Sequence, residues 1–213
     1  MVRLLVMGFP KIFRKLYFLR RFSSARIPTR VGEFTAHSYR NNFKNEGNIA
    51  LVLGDVTDID TPLVRVHSEC LTGDLIGSLR CDCGSQLQVS LEMIGEEGVG
   101  ILIYLRGHEG RGIGLGKKLR AYNLQDQGMD TVDANLEQGL PVDSRDYYFA
   151  AEILQDLGVS KIRLLTNNPK KKSELEDEGI DVVSRVPLEI APTEENKRYL
   201  ETKKTRLGHI LNN

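Results

Sequence analysis

Tryptophan is absent from the 213 residues, aromatics make up 7% of them, and there are only three cysteines. Three thiols cannot all pair, and a bridge from Cys81 to Cys83 across one residue would be strained. All three fall within residues 70–83, which excludes a disulfide framework spread along the chain. A reduced compartment, with thiolates available to a metal, is the simpler reading. No apolar run approaches the roughly 18–20 residues needed to span a bilayer, so a transmembrane helix is excluded as well. Acidic residues are missing from positions 1–32, which hold eight of the 29 Lys and Arg. The rest of the chain sets 21 basic residues against 29 acidic ones, so the formal net charge of zero hides an acidic body. Such a body argues against a nucleic-acid partner.

The basic segment 1–26, partly amphipathic and with Phe22-Ser23-Ser24 near its end, has the composition of an organelle transit peptide. A basic surface helix, a frayed extension, or a segment touching membrane or nucleic acid fits the same composition. From Ile27 onward Pro, Thr, Gly and Glu enter, and one domain is expected over 27–213. Its 40% hydrophobic content is enough to bury a core. A cytoplasmic protein is expected, or an organellar one if the basic segment is a targeting signal.

Ile49 to Leu53 and Leu63 to Val66 are short β-branched apolar runs and predict strands. Leu87, Leu91 and Ile94 recur at helical spacing before Gly98, predicting a helix. Val99 to Leu105 reads as a buried strand, 117–127 as a helix, 147–157 as a helix, 161–165 as a strand, 170–178 as a helix and 180–186 as a strand. A closing helix is expected over 194–211. This alternation predicts the α/β class, with a layered mixed β-sheet, flanking helices and a single catalytic domain.

Cys70, Cys81 and Cys83 form the first chemical constellation. Thiolates favour zinc, and a catalytic zinc keeps three protein ligands and an open fourth position. His67, three residues before Cys70, could instead close a structural site, and three buried free thiols are the remaining reading. Strand alternation places Arg65, His67 and Glu69 on one face, beside the metal. The His67-Ser68-Glu69 triplet also matches the H-x-E of zinc deaminases, although Cys81-Asp82-Cys83 is not their P-C-x-x-C. Between a strand and a helix, residues 107–116 carry five glycines, with Glu109, Gly110 and Arg111 among them. Such a turn lets backbone N–H groups approach an anion. Tyr122, the Asp143-Ser144-Arg145 triplet and Thr166-Asn-Asn-Pro-Lys170-Lys171-Lys172 complete the candidates; a strand end rich in Thr, Asn and Lys can bind phosphate.

Taken together these residues resemble GTP cyclohydrolase II. The matching blocks are VRVHSECLTGD (64–74), SLRCDCGSQL (78–87), RGHEGRGIGLGKKLRAYNLQDQG (106–128), DTVDAN (130–135), LPVDSRD (140–146), LLTNNPKK (164–171) and RYLETKKTRLGHIL (198–211). The RGHEGRGIGLG form also resembles the cyclohydrolase half of bifunctional riboflavin proteins. The resemblance implies one Zn2+ per subunit on Cys70, Cys81 and Cys83, Mg2+ with the GTP phosphates, and a homodimer. It implies GTP contacts from Arg65, Val66, His67, Ser68, Glu69, Gln86, Glu109, Gly110, Arg111, Thr131, Thr166 and Lys171. It makes Asp143 the proton acceptor and places Tyr122 beside the base. Arg145 is implied as the group attacking the α-phosphorus, with an electrostatic clamp as the more conservative role. The implied reaction releases formate and pyrophosphate from GTP at the start of riboflavin synthesis.

Overall fold

The computed structural model describes residues 19–41 and 47–211. Most of the basic segment, residues 1–18, therefore lies outside the described residues. In chain order the elements are β1 (Leu19–Thr29), β2 (Gly32–Asn41), β3 (Asn48–Leu53), β4 (Leu63–Ser68), α1 (Leu71–Asp74), α2 (Cys83–Glu97), β5 (Gly100–Leu105), α3 (Glu109–Gly112), α4 (Leu115–Asp126), α5 (Asp133–Leu136), α6 (Tyr148–Asp156), β6 (Lys161–Leu165), α7 (Pro169–Asp177), β7 (Asp181–Val186) and α8 (Lys197–Leu207).

The seven strands form one mixed sheet in the order β1-β2-β3-β5-β4-β6-β7. The β1, β2, β3 and β5 neighbours are antiparallel, whereas β5, β4, β6 and β7 run parallel. Alternation along the central strands divides the core. Val64, Val66, Ile101 and Ile103 pack with Ile153 and Leu154 of α6 and Leu175 of α7. Leu63 and Leu102 pack on the other face with Leu87, Leu91 and Ile94 of α2. The expected layering of a mixed sheet between helices is what the chain forms.

Two expectations shift. The boundary expected at residue 27 falls inside β1, which starts at Leu19 and pairs with β2 over its length. This edge strand is exposed almost throughout, so it needs no apolar alternation, and its Arg and Ser residues hid it. The closing helix is shorter than 194–211, because Gly208 takes a left-handed conformation (φ 67°) and ends α8.

The chain crosses from β4 through α2 to β5 on one side of β4, then reaches β6 on its other side. Strand β4 is thus the switch point of the parallel part, and a crevice is expected beyond its carboxyl end. Ser68, Leu105 and Leu165 end the three strands there.

Candidate active site

Beyond those strand ends lies a cleft with about 1010 Å³ of empty space, counting its open mouth. The three cysteines reach it from the end of β4 and the start of α2. Their ligand atoms lie within 4.8 Å of one another, and among the described residues they form the one cluster of this kind. Cys70 Sγ is 3.7 Å from Cys81 Sγ. Gly73 makes this approach possible, since a Cβ there would sit 2.9 Å from Cys81 Sγ and 3.1 Å from Cys70 Sγ.

The three thiols are unequal. Contacts with Cys81 and Cys83, together with the Lys118 ammonium, pull Cys70 far down against the cost of burial. The Cys70 sulfur in turn pushes Cys81 up to about 11, and both neighbours and burial push Cys83 up. Three converging soft donors that cannot all ionise unaided fit a divalent soft metal. His67 does not join them. Its Nε2 lies 3.0 Å from Asp74 Oδ1 and its ring stacks on Tyr104 at 5.4 Å, so the four-ligand structural alternative lacks its fourth ligand. Burial holds His67 below its ordinary value despite Asp74, which keeps the ring neutral, and its buried Nδ1 has no partner among the described residues.

A dense set of cations shares the cleft. Arg65 is buried, donating to Leu165 O at 3.0 Å and Gln86 Oε1 at 2.8 Å. Burial lowers it to about 10. Lys171 donates to the Val66 carbonyl at 2.6 Å; burial first, then the charges of Arg65, Arg145 and Lys203, drive it well below its ordinary value. A bound anion would relieve that repulsion. His209 is pressed down to about 3 by burial first, then by the charges of Lys203, Arg145, Lys171 and Arg111.

Arg145 and Asp143 form a forked pair, with Arg145 Nε on Asp143 Oδ1 at 3.0 Å and Arg145 NH2 on Oδ2 at 2.5 Å. Burial works against the Asp143 carboxylate, but the guanidinium holds it at about 2. Tyr147 and Asp143 keep Arg145 charged, above its ordinary value, against the cost of its burial. This pair is carried to the site by the glycine-rich turn. Ser144 N and Oγ both donate to Arg111 O at 3.1 Å, and a Cβ on Gly112 would meet Ser144 Oγ at 2.5 Å. Arg111, the one non-glycine with positive φ among the described residues (63°), sits in the same turn, where such a conformation stores strain.

Most of the residues singled out in the sequence meet here. Ser68, Gly110, Thr131, Thr166 and Tyr122 line the cleft, as do Arg65, His67, Glu69, Gln86, Arg111, Arg145 and Lys171. Three have other duties. The Val66 side chain is in the core, and only its carbonyl serves the site. Glu109 is buried beneath the turn, accepting from Leu71 N and Lys118 Nζ, both at 2.6 Å. Asp143 holds Arg145. Sequence reasoning missed Lys118, whose ammonium is 3.1 Å from Cys70 Sγ and 2.8 Å from Thr72 Oγ1. It also missed Asp82, Tyr199, Lys203 and His209. A charged residue between two cysteines, as Asp82 is, was a signal available in the sequence.

A family model described as GTP cyclohydrolase II matches residues 20–187. The chain is 59% identical over 192 residues to the bifunctional riboflavin biosynthesis protein RIBA 1, chloroplastic, of Arabidopsis thaliana, an alignment covering 90% of this chain and 35% of that protein. It is 57% identical over 189 residues to the riboflavin biosynthesis protein RibBA of Salinispora tropica, covering 89% and 47%. The monofunctional riboflavin biosynthesis protein RIBA 3, chloroplastic, of Arabidopsis thaliana is 56% identical over 192 residues, covering 90% and 38%. Among solved structures, a two-domain 3,4-dihydroxy-2-butanone 4-phosphate synthase from A. baumannii aligns with 70% of this chain and 34% of its own at TM-score 0.42 and 23% identity. The chain spans between about a third and a half of the curated relatives it matches. On the match across residues 20–187, it belongs to the GTP cyclohydrolase II family.

Proposed function

We propose that this chain hydrolyses GTP at the guanine imidazole ring, releasing formate and pyrophosphate and leaving a diaminopyrimidine ribosyl phosphate, the first step of riboflavin synthesis. The observation that carries the reading is that three convergent thiols and the cations Arg65, Arg111, Arg145 and Lys171 line one cleft. Such a cleft can hold a base at a metal and a triphosphate among positive charges. Cys70, Cys81 and Cys83 would hold one zinc ion, which would supply Lewis acidity for the hydrolysis of the ring. Magnesium enters with the GTP phosphates.

The residues of the chain do the rest. Neutral His67 presents an Nδ1 with no partner among the described residues and Gln86 steadies Arg65; both orient the substrate. Tyr122, its hydroxyl 3.4 Å from Thr72 Oγ1, is held protonated by burial and donates to the opening base. Arg111, Lys171 and Arg145 stabilise charge on the phosphates. Asp143 is too firmly ionised to be an efficient base, which favours Arg145 as a clamp over Arg145 as a nucleophile. We assign the active form as a homodimer acting in the cytoplasm. The chloroplastic designation of the Arabidopsis relatives favours a second reading, an organelle reached through the basic residues 1–26.

One assay tests the function. GTP is supplied with zinc and magnesium, and formate, ammonia and pyrophosphate are measured together. Formate and pyrophosphate without ammonia is the expected result, and Cys81→Ser or Cys83→Ser should abolish formate. Ammonia without formate would make the protein a deaminase, and formate release surviving in both variants would remove the metal from the reaction.

A further inference from the structure

The family match ends at residue 187, yet α8 and the residues after it line the cleft through Tyr199, Lys203 and His209. Lys203 is the most connected of the three. Its side chain is 10% exposed and its ammonium donates at 2.6 Å to Asp82 Oδ1, on a carboxylate 3% exposed. Asp82 stands between the two thiol-bearing residues Cys81 and Cys83. Its other oxygen accepts from Gln86 Nε2 at 2.7 Å, and Gln86 Oε1 accepts from Arg65 NH2 at 2.8 Å. A continuous chain of charged and polar contacts therefore runs from α8, through the middle of the Cys81-Asp82-Cys83 segment, to a cation on the central strand. Asp82 has no capping bond to the backbone of α2, although it occupies the N-cap position. Lys203 and Gln86 are what fix its carboxylate.

We propose that Lys203 is a positioning residue: its ion pair with Asp82 tethers α8 to the Cys81-Asp82-Cys83 segment and sets the geometry in which that segment presents its thiolates to the metal. The proposal rests on the zinc reading of the three cysteines. Groups that fix the orientation of metal ligands without touching the metal commonly govern how long the metal is retained. Through Gln86 the same tether steadies Arg65, so it serves substrate binding as well as the metal.

The full-length, zinc-loaded protein is mixed with a chromophoric chelator and the rate of zinc release is followed. Lys203→Met should release zinc about 10- to 100-fold faster than the unaltered protein, with a raised KM for GTP. Lys203→Arg, which keeps the charge, should restore retention. Leu200→Ala thins the packing of α8 while keeping the Lys203–Asp82 pair and should leave release near the unaltered rate. Release from Lys203→Met at the unaltered rate overturns the tether. So does release from Leu200→Ala as fast as from Lys203→Met, since docking of the helix would then be sufficient. A protein that binds no zinc at all overturns it too. If Lys203→Met sheds zinc quickly while the unaltered protein releases no formate from GTP, the tether stands and the cyclohydrolase reading falls.

Discussion

Lys118 places its ammonium 3.1 Å from Cys70 Sγ and 2.6 Å from Glu109 Oε1, so one buried cation joins the thiol cluster to the glycine-rich turn. Glu109 completes the link by accepting from Leu71 N, next to Cys70. The side chains of Lys118 and Glu109 are 9% and 8% exposed, which leaves little water to screen either charge. Lys118→Met strands the Glu109 carboxylate, and losing one partner of a buried pair costs about 3–5 kcal/mol. Lys118→Met with Glu109→Gln should recover most of that loss in denaturant titrations. A double variant no more stable than the single one would show that the two groups do not act as a pair.

The Asp143 carboxylate makes a prediction in acid. Its value in the folded chain is depressed to about 2 by Arg145, against burial, from an unfolded value near 3.9. The pair's contribution is thus fully present above about pH 4 and is lost as pH falls from there through about 2; at about 1.4 kcal/mol per unit it is about 2–3 kcal/mol. Asp143→Asn is expected to be less stable at pH 7, yet to lose less stability than the unaltered protein between pH 5 and pH 2. Parallel pH–stability curves from urea melts would mean that Asp143 is not the titrating group.

How much of this could be read beforehand follows from what each residue reports on. Strands β3 to β7 and helices α2, α6 and α7 carry regularly placed apolar positions, because each packs into the two layers about the sheet, and that pattern survives in sequence. Strand β1 buries almost nothing, so its Arg-Arg-Phe-Ser-Ser-Ala-Arg text gave no period to find. The cysteines were legible because three thiols this close in sequence, which converge in the fold, are the residue type and spacing that a metal site calls for. The contacts that complete the cleft were not. Lys203 meets Asp82 across 121 positions and Lys118 meets Cys70 across 48, and no local pattern carries such distances. Glu109 was assigned to substrate on resemblance, while its oxygens are spent on Leu71 and Lys118.

Arg145 offers a test of the phosphate step. Its Nε and one terminal nitrogen are committed to Asp143, and the carboxylate keeps the guanidinium protonated, the form without a nucleophilic lone pair. A clamp needs charge at this position and tolerates an ammonium at reduced efficiency. Arg145→Lys is therefore expected to release pyrophosphate with a loss of no more than about 100-fold, within the range for one electrostatic contact. Complete loss of pyrophosphate release, in a variant that still binds GTP with the unaltered affinity, would restore the covalent role.

On the proposed function, Tyr122 links the thiol end of the cleft to proton movement at the base. Its hydroxyl lies 3.4 Å from Thr72 Oγ1, and Thr72 also accepts from Lys118 Nζ at 2.8 Å, so the phenol is one bond removed from the ammonium that contacts Cys70. Burial raises its pKa, as do the nearby thiols to a smaller extent, while Thr72 and Lys118 pull the other way. The phenol consequently stays protonated through the neutral range and can donate to a ring nitrogen as the imidazole opens. Tyr122→Phe removes only that donor and keeps the ring beneath Arg80, whose guanidinium carbon lies 4.8 Å from its centroid. Zinc content and GTP affinity should persist while the reaction slows or stops around the formamide stage, giving a product profile with less free formate per GTP consumed. An identical product profile from the two proteins would remove Tyr122 from the proton path and leave it as packing beside Lys118.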